Sequence, residues 1–444
     1  MTEIAVKETT DIERVKTFYH LLANTITAGV TNMTVWFALV FWVFLETRSV
    51  MATAVVSGIY LVAVAVSGFW FGGLIDRYKK KRVMLLSGLV SFLIYVIGFA
   101  IYLTAPPAEF KNPASVILWI FVTLLLMGVI AGNIRNIALP TLITILVPED
   151  RRDRANGLAG TATGITFLIT SAISGFLVGH SGMYAVLILA MAMMAVSVIH
   201  LAVLSIPEKG IAHADGKPVQ LDVRGTLIII GAIPGMFALI FFTTFNNFLG
   251  GVFMGLMDAY GLSLVSVEVW GVLWAFLSCG FIVGGLFIAK WGLGANPLRA
   301  LFGANICIWT ISSLFTIQPS IFLLTSGMFI YLCVGPFIEA AEHTIIQKVV
   351  PPERQGRVFG FAQSVEMAAS PLTTFFIGPI AELIFIPFMT TGAGVGLIGG
   401  WFGTGADRGI ALVFTLTGLL GLVMTLLAMN TKYYRLLSYR YMTG

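Results

Sequence analysis

Four ionisable side chains lie within long apolar segments of this sequence, where water cannot solvate a charge. Glu339, Glu342 and His343 fall in one such segment, and Glu366 falls in the next. A charge at the centre of a membrane span costs about 2.5–3.5 kcal/mol on insertion scales, so such residues usually have a function or a partner. Low-dielectric surroundings favour the neutral form of a carboxyl group, which suits reversible proton binding. The four residues are therefore candidates for proton coupling, with Glu339 and Glu366 foremost.

One further charge, Arg135, lies at the same predicted depth in an earlier apolar segment. A repeat described below aligns its neighbour Asn136 with Glu339. We therefore expect Arg135 and Glu339 to pair when a gate closes and to separate when it opens. The alternative for Glu339 is a structural ion pair with a Lys or His near the end of its helix. A structural role is also the alternative for Glu342 and His343.

The segments that must position these residues are predicted to be membrane helices. Of the 444 residues, 58% are hydrophobic and 11% are charged, whereas a soluble domain carries roughly 25% charged residues. A helix needs about 20 apolar residues to cross a bilayer. Twelve such spans are predicted, at residues 20–45, 51–75, 83–104, 114–137, 156–179, 183–206, 225–249, 266–290, 299–317, 320–346, 358–380 and 409–430. The glycine-rich residues 380–408 are expected to form an external loop or a re-entrant hairpin.

Basic residues set the predicted orientation of these spans. If the N-terminus is cytoplasmic, 22 of the 26 Lys and Arg residues fall in cytoplasmic segments, which is the distribution that membrane proteins prefer. This placement accounts for the formal net charge of +5. We therefore expect the lipid bilayer, and not nucleic acid, as the partner of the basic loops. The sequence predicts a multi-pass protein of the cell membrane with both termini in the cytoplasm.

An internal repeat divides the chain into two related halves. The stretch VPEDRRDRANG at 147–157 aligns with VPPERQGRVFG at 350–360, at an offset of 203 residues. Each stretch lies between the fourth and fifth predicted spans of its own half, and such repeats are typical of secondary transporters. We predict an N-terminal six-helix bundle at 1–206, a cytoplasmic linker at 207–224 and a C-terminal six-helix bundle at 225–444.

The loop between the second and third spans resembles the most specific signature of the major facilitator superfamily. That signature has the form Gly-x-x-x-Asp-Arg followed by basic residues, and here the stretch GGLIDRYKKKR begins at Gly72. The matching loop of the second half keeps two glycines but has Ile288 where the Asp would be. The stretch LPTLITILVPEDRRDRANGL is similar to the bacterial macrolide-efflux and siderophore-exporter branch. The resemblance covers nearly the whole chain and implies an all-α major facilitator fold of 12 transmembrane helices in two six-helix repeats.

The resemblance also implies residues that gate the cytoplasmic side. In the family, the Asp of this loop caps the eleventh helix and helps to lock the outward-facing state. Here that residue would be Asp76, and the helix would start near residues 356–358. The gating candidates are Gly73 (with Gly72 as its alternative), Asp76, Arg77, Arg135 and Arg357. The alternative for the whole loop is a basic turn that serves topology alone.

Polar residues on the helices that surround the central cavity of this fold are candidates for substrate binding. They are Asn24, Thr27, Thr31, Trp36, Asn246, Asn247 and Gln363. Aromatic and methionine-rich surroundings with few fixed charges suit amphipathic cargo of moderate size. The alternative is that these polar side chains only join neighbouring helices.

These observations favour a proton-coupled exporter, an antiporter that moves amphipathic drugs or metabolites by alternating access. The alternatives are an importer or a lysolipid flippase on the same fold, or an enzyme embedded in the membrane. Five scattered histidines and the lack of HExxH, GxSxG or paired CxxC motifs argue against an enzyme. We expect a monomer without cofactor or metal. The three cysteines are expected to be small buried hydrophobes.

Overall fold

The computed structural model describes residues 2–208 and 223–443, and within these ranges the chain forms helices joined by short turns. The helices are α1 (Thr2–Thr47), α2 (Val50–Arg77), α3 (Lys80–Thr104), α4 (Pro107–Lys111), α5 (Val116–Gly132), α6 (Ile134–Leu146), α7 (Arg152–Ser181), α8 (Met183–Val203), α9 (Val223–Ala232), α10 (Met236–Leu264), α11 (Val267–Trp291), α12 (Pro297–Leu314), α13 (Ile321–Val349), α14 (Gln355–Ile380), α15 (Ile386–Thr390), α16 (Ala393–Leu397), α17 (Gly399–Phe402), α18 (Ala406–Met429) and α19 (Lys432–Thr443). A π-helical turn, Ala381–Phe385, joins α14 to α15.

Eleven helical segments in the described ranges are long and apolar enough to cross a membrane. The ninth predicted span is α12, which has 18 residues and falls outside the eleven. Three predicted ends are wrong. The fourth span continues through α6 to Leu146 with Pro140 inside the helix, and the eleventh continues through the π-helical turn to Thr390. The seventh predicted span is interrupted between α9 and α10, and α10 continues to Leu264. The all-helical membrane architecture is confirmed.

The chain divides into two compact units. The first unit comprises Met1–Ala155, Ala162–Thr226 and Val350–Ser364, and the second comprises Asn156–Thr161, Leu227–Val349 and Val365–Gly444. The first ten residues of α14 therefore belong to the first unit, and a short stretch near the start of α7 belongs to the second. Residues 209–222 of the predicted linker lie outside the described ranges.

Each unit has its own aromatic core. In the first unit, the Trp42 ring lies 5.2–5.9 Å between centroids from the rings of Tyr102, Phe110 and Phe121. In the second unit, Phe253 and Phe414 stack with their ring centroids 5.0 Å apart. Such ring pairs add stabilisation beyond the area they bury. These cores hold the helices that carry the ionisable residues.

The segment predicted as an external loop or a re-entrant hairpin, 380–408, forms the π-helical turn and the short helices α15–α17. The buried Arg408 at the start of α18 joins this segment to α10 and to the turn that follows α12. Its Nε donates to the Phe402 carbonyl at 2.7 Å, and its Nη2 donates to the carbonyls of Thr316 and Ile317 at 2.9 Å each. Its Nη1 donates to the Tyr260 hydroxyl at 3.2 Å. One buried side chain therefore fixes the path of a glycine-rich segment.

Candidate functional site

Two carboxyl groups from different helices meet inside the second unit. Glu342 on α13 adjoins Glu366 on α14, and the Thr243 hydroxyl of α10 contacts both. The hydroxyl oxygen is 2.7 Å from Glu366 Oε1 and 3.4 Å from Glu342 Oε1. Glu342 is only 7% exposed. Because two buried carboxylates in contact repel each other, pairs of this kind commonly share one proton. We call Glu342, Glu366 and Thr243 the carboxyl pair site.

The other two proton-coupling candidates lie at the edge of the carboxyl pair site. Glu339 is exposed and His343 is half-buried, both on α13. Glu339 is close enough to Glu342 to interact with it electrostatically. The structure thus joins Glu366 directly to Glu342, whereas the sequence placed Glu339 and Glu366 foremost. Within the described ranges, no group of three or more His, Cys, Asp or Glu side chains could hold a metal ion.

The Asp76 carboxylate at the end of α2 caps the start of α14 within the first unit. Its Oδ1 accepts the Gly356 N–H at 2.7 Å, and its Oδ2 accepts the Arg357 N–H at 3.0 Å. The Asp76 side chain is 3% exposed, and Arg357 Nε lies 3.7 Å from Oδ2. A carboxylate in this position satisfies backbone donors that the helix itself leaves free and interacts favourably with the helix dipole. We call Asp76, Gly356 and Arg357 the latch.

Glycines allow the latch to form. Helix α2 crosses α14 at glycines on both helices. Gly68 and Gly72 are four residues apart on α2, and they face Gly356 and Gly360, which are four residues apart on α14. A Cβ on Gly72 would collide with the Gly356 carbonyl, and a Cβ on Gly360 would lie 2.9 Å from the Gly72 Cα. Small residues at this spacing permit two helix backbones to approach closely. Of the two glycines that fit the signature, Gly72 makes the close approach, and Gly73 is half-buried beside it.

The other gating candidates have different surroundings. The Arg77 guanidinium lies 5.4 Å from the centroid of the Tyr78 ring. Arg135 on α6 is 3% exposed, and its Nη1 donates to Asn24 Oδ1 at 2.7 Å. Asn24 in turn donates to the Ser197 carbonyl at 2.7 Å. Arg135 thus has a neutral partner in the first unit, and its pairing with Glu339 stays a prediction.

Two buried amide contacts were not predicted from the sequence. In the second unit, Asn156 Nδ2 donates to Thr344 Oγ1 at 2.9 Å and to Gln347 Oε1 at 2.8 Å. In the first unit, Thr144 Oγ1 donates to Gln355 Oε1 at 2.8 Å. The offset of 203 residues aligns Thr144 with Gln347. The repeat could therefore have indicated that equivalent positions near the ends of α6 and α13 make polar contacts.

Two of the substrate-binding candidates line a cavity in the first unit. Thr27 and Thr31 lie on its α1 wall, and the other walls are aliphatic residues of α7 and α8. The cavity has a volume of about 280 Å³. Both threonine hydroxyls donate to carbonyls of their own helix, at 3.0 and 2.8 Å. The cavity is therefore largely apolar.

The remaining substrate-binding candidates are spread over several helices. In α10, Asn246 Oδ1 accepts the Trp309 Nε1–H at 2.7 Å, and Asn247 donates to a carbonyl of its own helix at 3.1 Å. Gln363 is half-buried on α14. Trp36 packs against Tyr60 with 5.1 Å between ring centroids. Asn246 and Asn247 belong to the second unit, whereas Trp36 and Gln363 belong to the first unit with Thr27 and Thr31.

The sequence matches a known family and characterised relatives. The sequence model of the Major Facilitator Superfamily matches residues 21–374. Macrolide efflux protein A of Streptococcus pyogenes is 23% identical over 384 residues, which cover 83% of this chain and 90% of the relative. Macrolide efflux protein A of Enterococcus faecalis is 22% identical over 325 residues, which cover 69% of this chain and 94% of the relative.

The fold is similar to that of solved transporter structures. An outward-facing bacterial homologue of the iron transporter ferroportin superposes with a TM-score of 0.67 at 12% identity, covering 94% of this chain and 100% of that one. A proton:xylose symporter of the major facilitator superfamily superposes with a TM-score of 0.63 at 12% identity, covering 93% and 95%. At these identities the similarity shows the fold alone.

Proposed function

Because this chain belongs to the Major Facilitator Superfamily, and is therefore a multi-pass membrane transporter and not an enzyme, we propose that it exports amphipathic drugs or metabolites in exchange for protons. The relatives named macrolide efflux protein A match most of the chain and support export as the direction of transport. The carboxyl pair site is the observation that carries the proton coupling. Glu339 and His343 beside it would complete the path of the proton.

The geometry of the carboxyl pair site supports an assignment of the shared proton. A threonine hydroxyl has one hydrogen, and the Thr243 hydroxyl oxygen also lies 3.2 and 3.0 Å from the carbonyls of Leu239 and Ile240 in its own helix. The distance to Glu366 is the shortest of the four and favours donation to Glu366, which stabilises negative charge there. The more buried Glu342 would then be protonated, and its O–H would donate a hydrogen bond to Glu366. Loss of this proton would leave two adjoining negative charges, and their repulsion would move α13 against α14.

The latch supports a gating role for Asp76, with Arg357 as its second charge. Alternating access requires contacts that hold one conformation and break in the other. The gating set of the proposal is Gly73 with Gly72, Asp76, Arg77, Arg135 and Arg357. We further propose that the latch and both termini lie on the cytoplasmic side of the cell membrane and that the transporter works as a monomer.

The cavity beside Thr27 and Thr31 supports an amphipathic substrate. Pockets for drug-sized ligands usually measure about 300–1,000 Å³, so this cavity would hold one apolar part of a ligand. Its aliphatic walls suit such a part. The polar candidates that would contact the remainder of the ligand are Asn24, Trp36, Asn246, Asn247 and Gln363.

Uptake of radiolabelled erythromycin, a macrolide, into everted membrane vesicles tests the proposal. An acidic vesicle interior should drive uptake, and an ionophore that collapses the pH gradient should stop it. Glu342→Gln and Glu366→Gln should remove the response to the gradient but leave binding of erythromycin intact. Glu382→Gln, which changes an exposed acid of the π-helical turn, is the matched control.

Three outcomes would contradict the proposal. Uptake that is independent of the pH gradient in the wild type would refute proton coupling. Accumulation of the probe in right-side-out vesicles with an acidic exterior would indicate a proton-coupled importer. Movement of a fluorescent lysophospholipid without movement of erythromycin would indicate the flippase.

A further inference from the structure

The start of α3 is capped by a carboxylate from a distant part of the chain. Glu208 Oε2 accepts the Lys80 N–H at 2.6 Å, and Glu208 Oε1 accepts the Lys81 N–H at 2.8 Å. Lys79, which precedes the helix, makes no side-chain cap. The first N–H groups of a helix have no partner within it, and a carboxylate beside them also interacts favourably with the helix dipole. Glu208 therefore supplies the cap that the residues next to α3 do not.

A further contact joins the same two segments in the opposite direction. The Lys81 Nζ donates to the Ala202 carbonyl at 2.8 Å. Ala202 lies in the last turn of α8, and Glu208 follows shortly after that helix ends. The segment after α8 is therefore tied to the start of α3 by hydrogen bonds that run both ways. We call Glu208, Lys80 and Lys81 the linker cap, because Glu208 belongs to the linker predicted at 207–224.

The linker cap adjoins the latch within the first unit. Only two residues separate the end of α2, which carries Asp76, from the start of α3. The Lys80 Nζ donates to the Ile75 carbonyl at 3.3 Å, and Lys80 also interacts electrostatically with the Asp76 carboxylate. The backbone of Lys80 is thus held by Glu208, while its side chain holds the residue before Asp76. A continuous chain of contacts leads from Glu208 through Lys80 to Asp76.

We propose that Glu208 is a positioning residue of the latch. By fixing Lys80 at the start of α3, it holds the end of α2 where the Asp76 carboxylate can cap α14. The inference rests on the gating role proposed for the latch. It gives the predicted linker a part in gating, because a movement that pulls Glu208 from α3 would also release Lys80 and weaken the hold on Asp76. The competing explanation is that Glu208 stabilises α3 alone.

The rate at which a buried cysteine near the latch reacts with a water-soluble maleimide tests this inference. Val358 is buried and directly follows Arg357, so Val358→Cys in the cysteine-free full chain reports opening of the latch. Glu208→Gln replaces one acceptor oxygen by an NH₂ group. It should speed the reaction about 3- to 10-fold, the effect of one lost hydrogen bond. Glu353→Gln, which changes an exposed acid in the turn before α14, is the matched control and should leave the rate unchanged.

A double-mutant cycle separates a role in the latch from a role in α3 alone. If Glu208 acts through Asp76, Glu208→Gln should not speed the reaction further in an Asp76→Asn background, because the carboxylate that it positions is gone. If the two effects multiply, Glu208 acts independently of the latch and the inference is overturned. If Glu208→Gln does not insert into the membrane, Lys80→Met decides in the same cycle, since it removes the ammonium group and keeps the backbone N–H.

The same measurements distinguish a failure of this inference from a failure of the proposed gating. A faster reaction in Asp76→Asn, with an unchanged rate in Glu208→Gln, would overturn the inference and leave the latch standing. An unchanged rate in Asp76→Asn would refute the gating role of the latch, and the inference would fall with it.

Discussion

The substitution Asp76→Asn tests the latch, and its effect can be worked out from the geometry. The carboxylate accepts two backbone N–H groups, at 2.7 and 3.0 Å, and faces Arg357 Nε at 3.7 Å. An Asn side chain keeps one acceptor oxygen but turns an NH₂ group toward the second N–H. One charge-assisted hydrogen bond is lost, which costs about 1.5–3 kcal/mol, and the other becomes weaker. We expect a total loss of about 3 kcal/mol, which shifts the population of the latched conformation about 100-fold.

Two measurements check this expectation. Uptake of erythromycin into everted vesicles should be lost in Asp76→Asn while the amount of inserted protein stays at the wild-type level. In a cysteine-free background, a cysteine introduced at the buried residue Val358, near the start of α14, should react faster with a water-soluble maleimide when Asp76 is replaced. Asp150→Asn is the control, because its side chain is 77% exposed in the turn between α6 and α7. Near-normal transport by Asp76→Asn would refute the reasoning and remove Asp76 from the mechanism.

Other contacts give further predictions. Thr243→Val removes the hydroxyl between the two carboxyl groups, and proton-driven uptake should fall about tenfold while erythromycin still binds; an unchanged rate would exclude the hydroxyl from coupling. Gly72→Ala places a Cβ against the Gly356 carbonyl and should abolish uptake of erythromycin into everted vesicles. Gly58→Ala on the same helix is the control and should leave uptake unchanged, because no atom of another helix lies within 4 Å of the new Cβ. Arg408→Met deletes four hydrogen bonds and should lower the free energy of unfolding by about 3 kcal/mol or more, seen as a lower midpoint of thermal unfolding. An unchanged midpoint would show that this arginine does not hold α15–α17.

Hydropathy predicted most membrane helices because a bilayer demands long apolar runs, but it placed some ends wrongly. The predicted end at residue 137 is too early, because α6 continues to Leu146 with Pro140 inside it. Neighbouring helices in a membrane protein can satisfy the backbone groups that a proline frees. The short helices between 386 and 402 were not predicted because glycine-rich sequence is typical of loops. Their path depends on Arg408, whose contact with Tyr260 spans 148 residues of the chain.

The sequence could predict a contact of the candidate site only where a known motif indicates which helix its residues meet. Asp76 was assigned to the start of the eleventh span through the signature around it, and the structure has this contact. The pairing of Glu342 with Glu366 was not predictable, because helical spacing relates residues within one helix. Thr243, which contacts both, is 99 and 123 residues away from them. Such a site is defined by packing, and packing is not visible in one sequence.

The helix α14 has a mechanical consequence for the proposed cycle. Its first turn contains Gly356 and Arg357, the two latch residues whose N–H groups donate to Asp76. Glu366 follows Arg357 by nine residues, which places it about 14 Å further along the helix axis. The first proline of α14, Pro371, comes after both, so nothing kinks the helix between them. We expect this stretch to behave as a rigid lever. In the proposed cycle, a swing that frees its first turn would also displace Glu366 from Thr243, so opening of the latch and release of the proton would occur together.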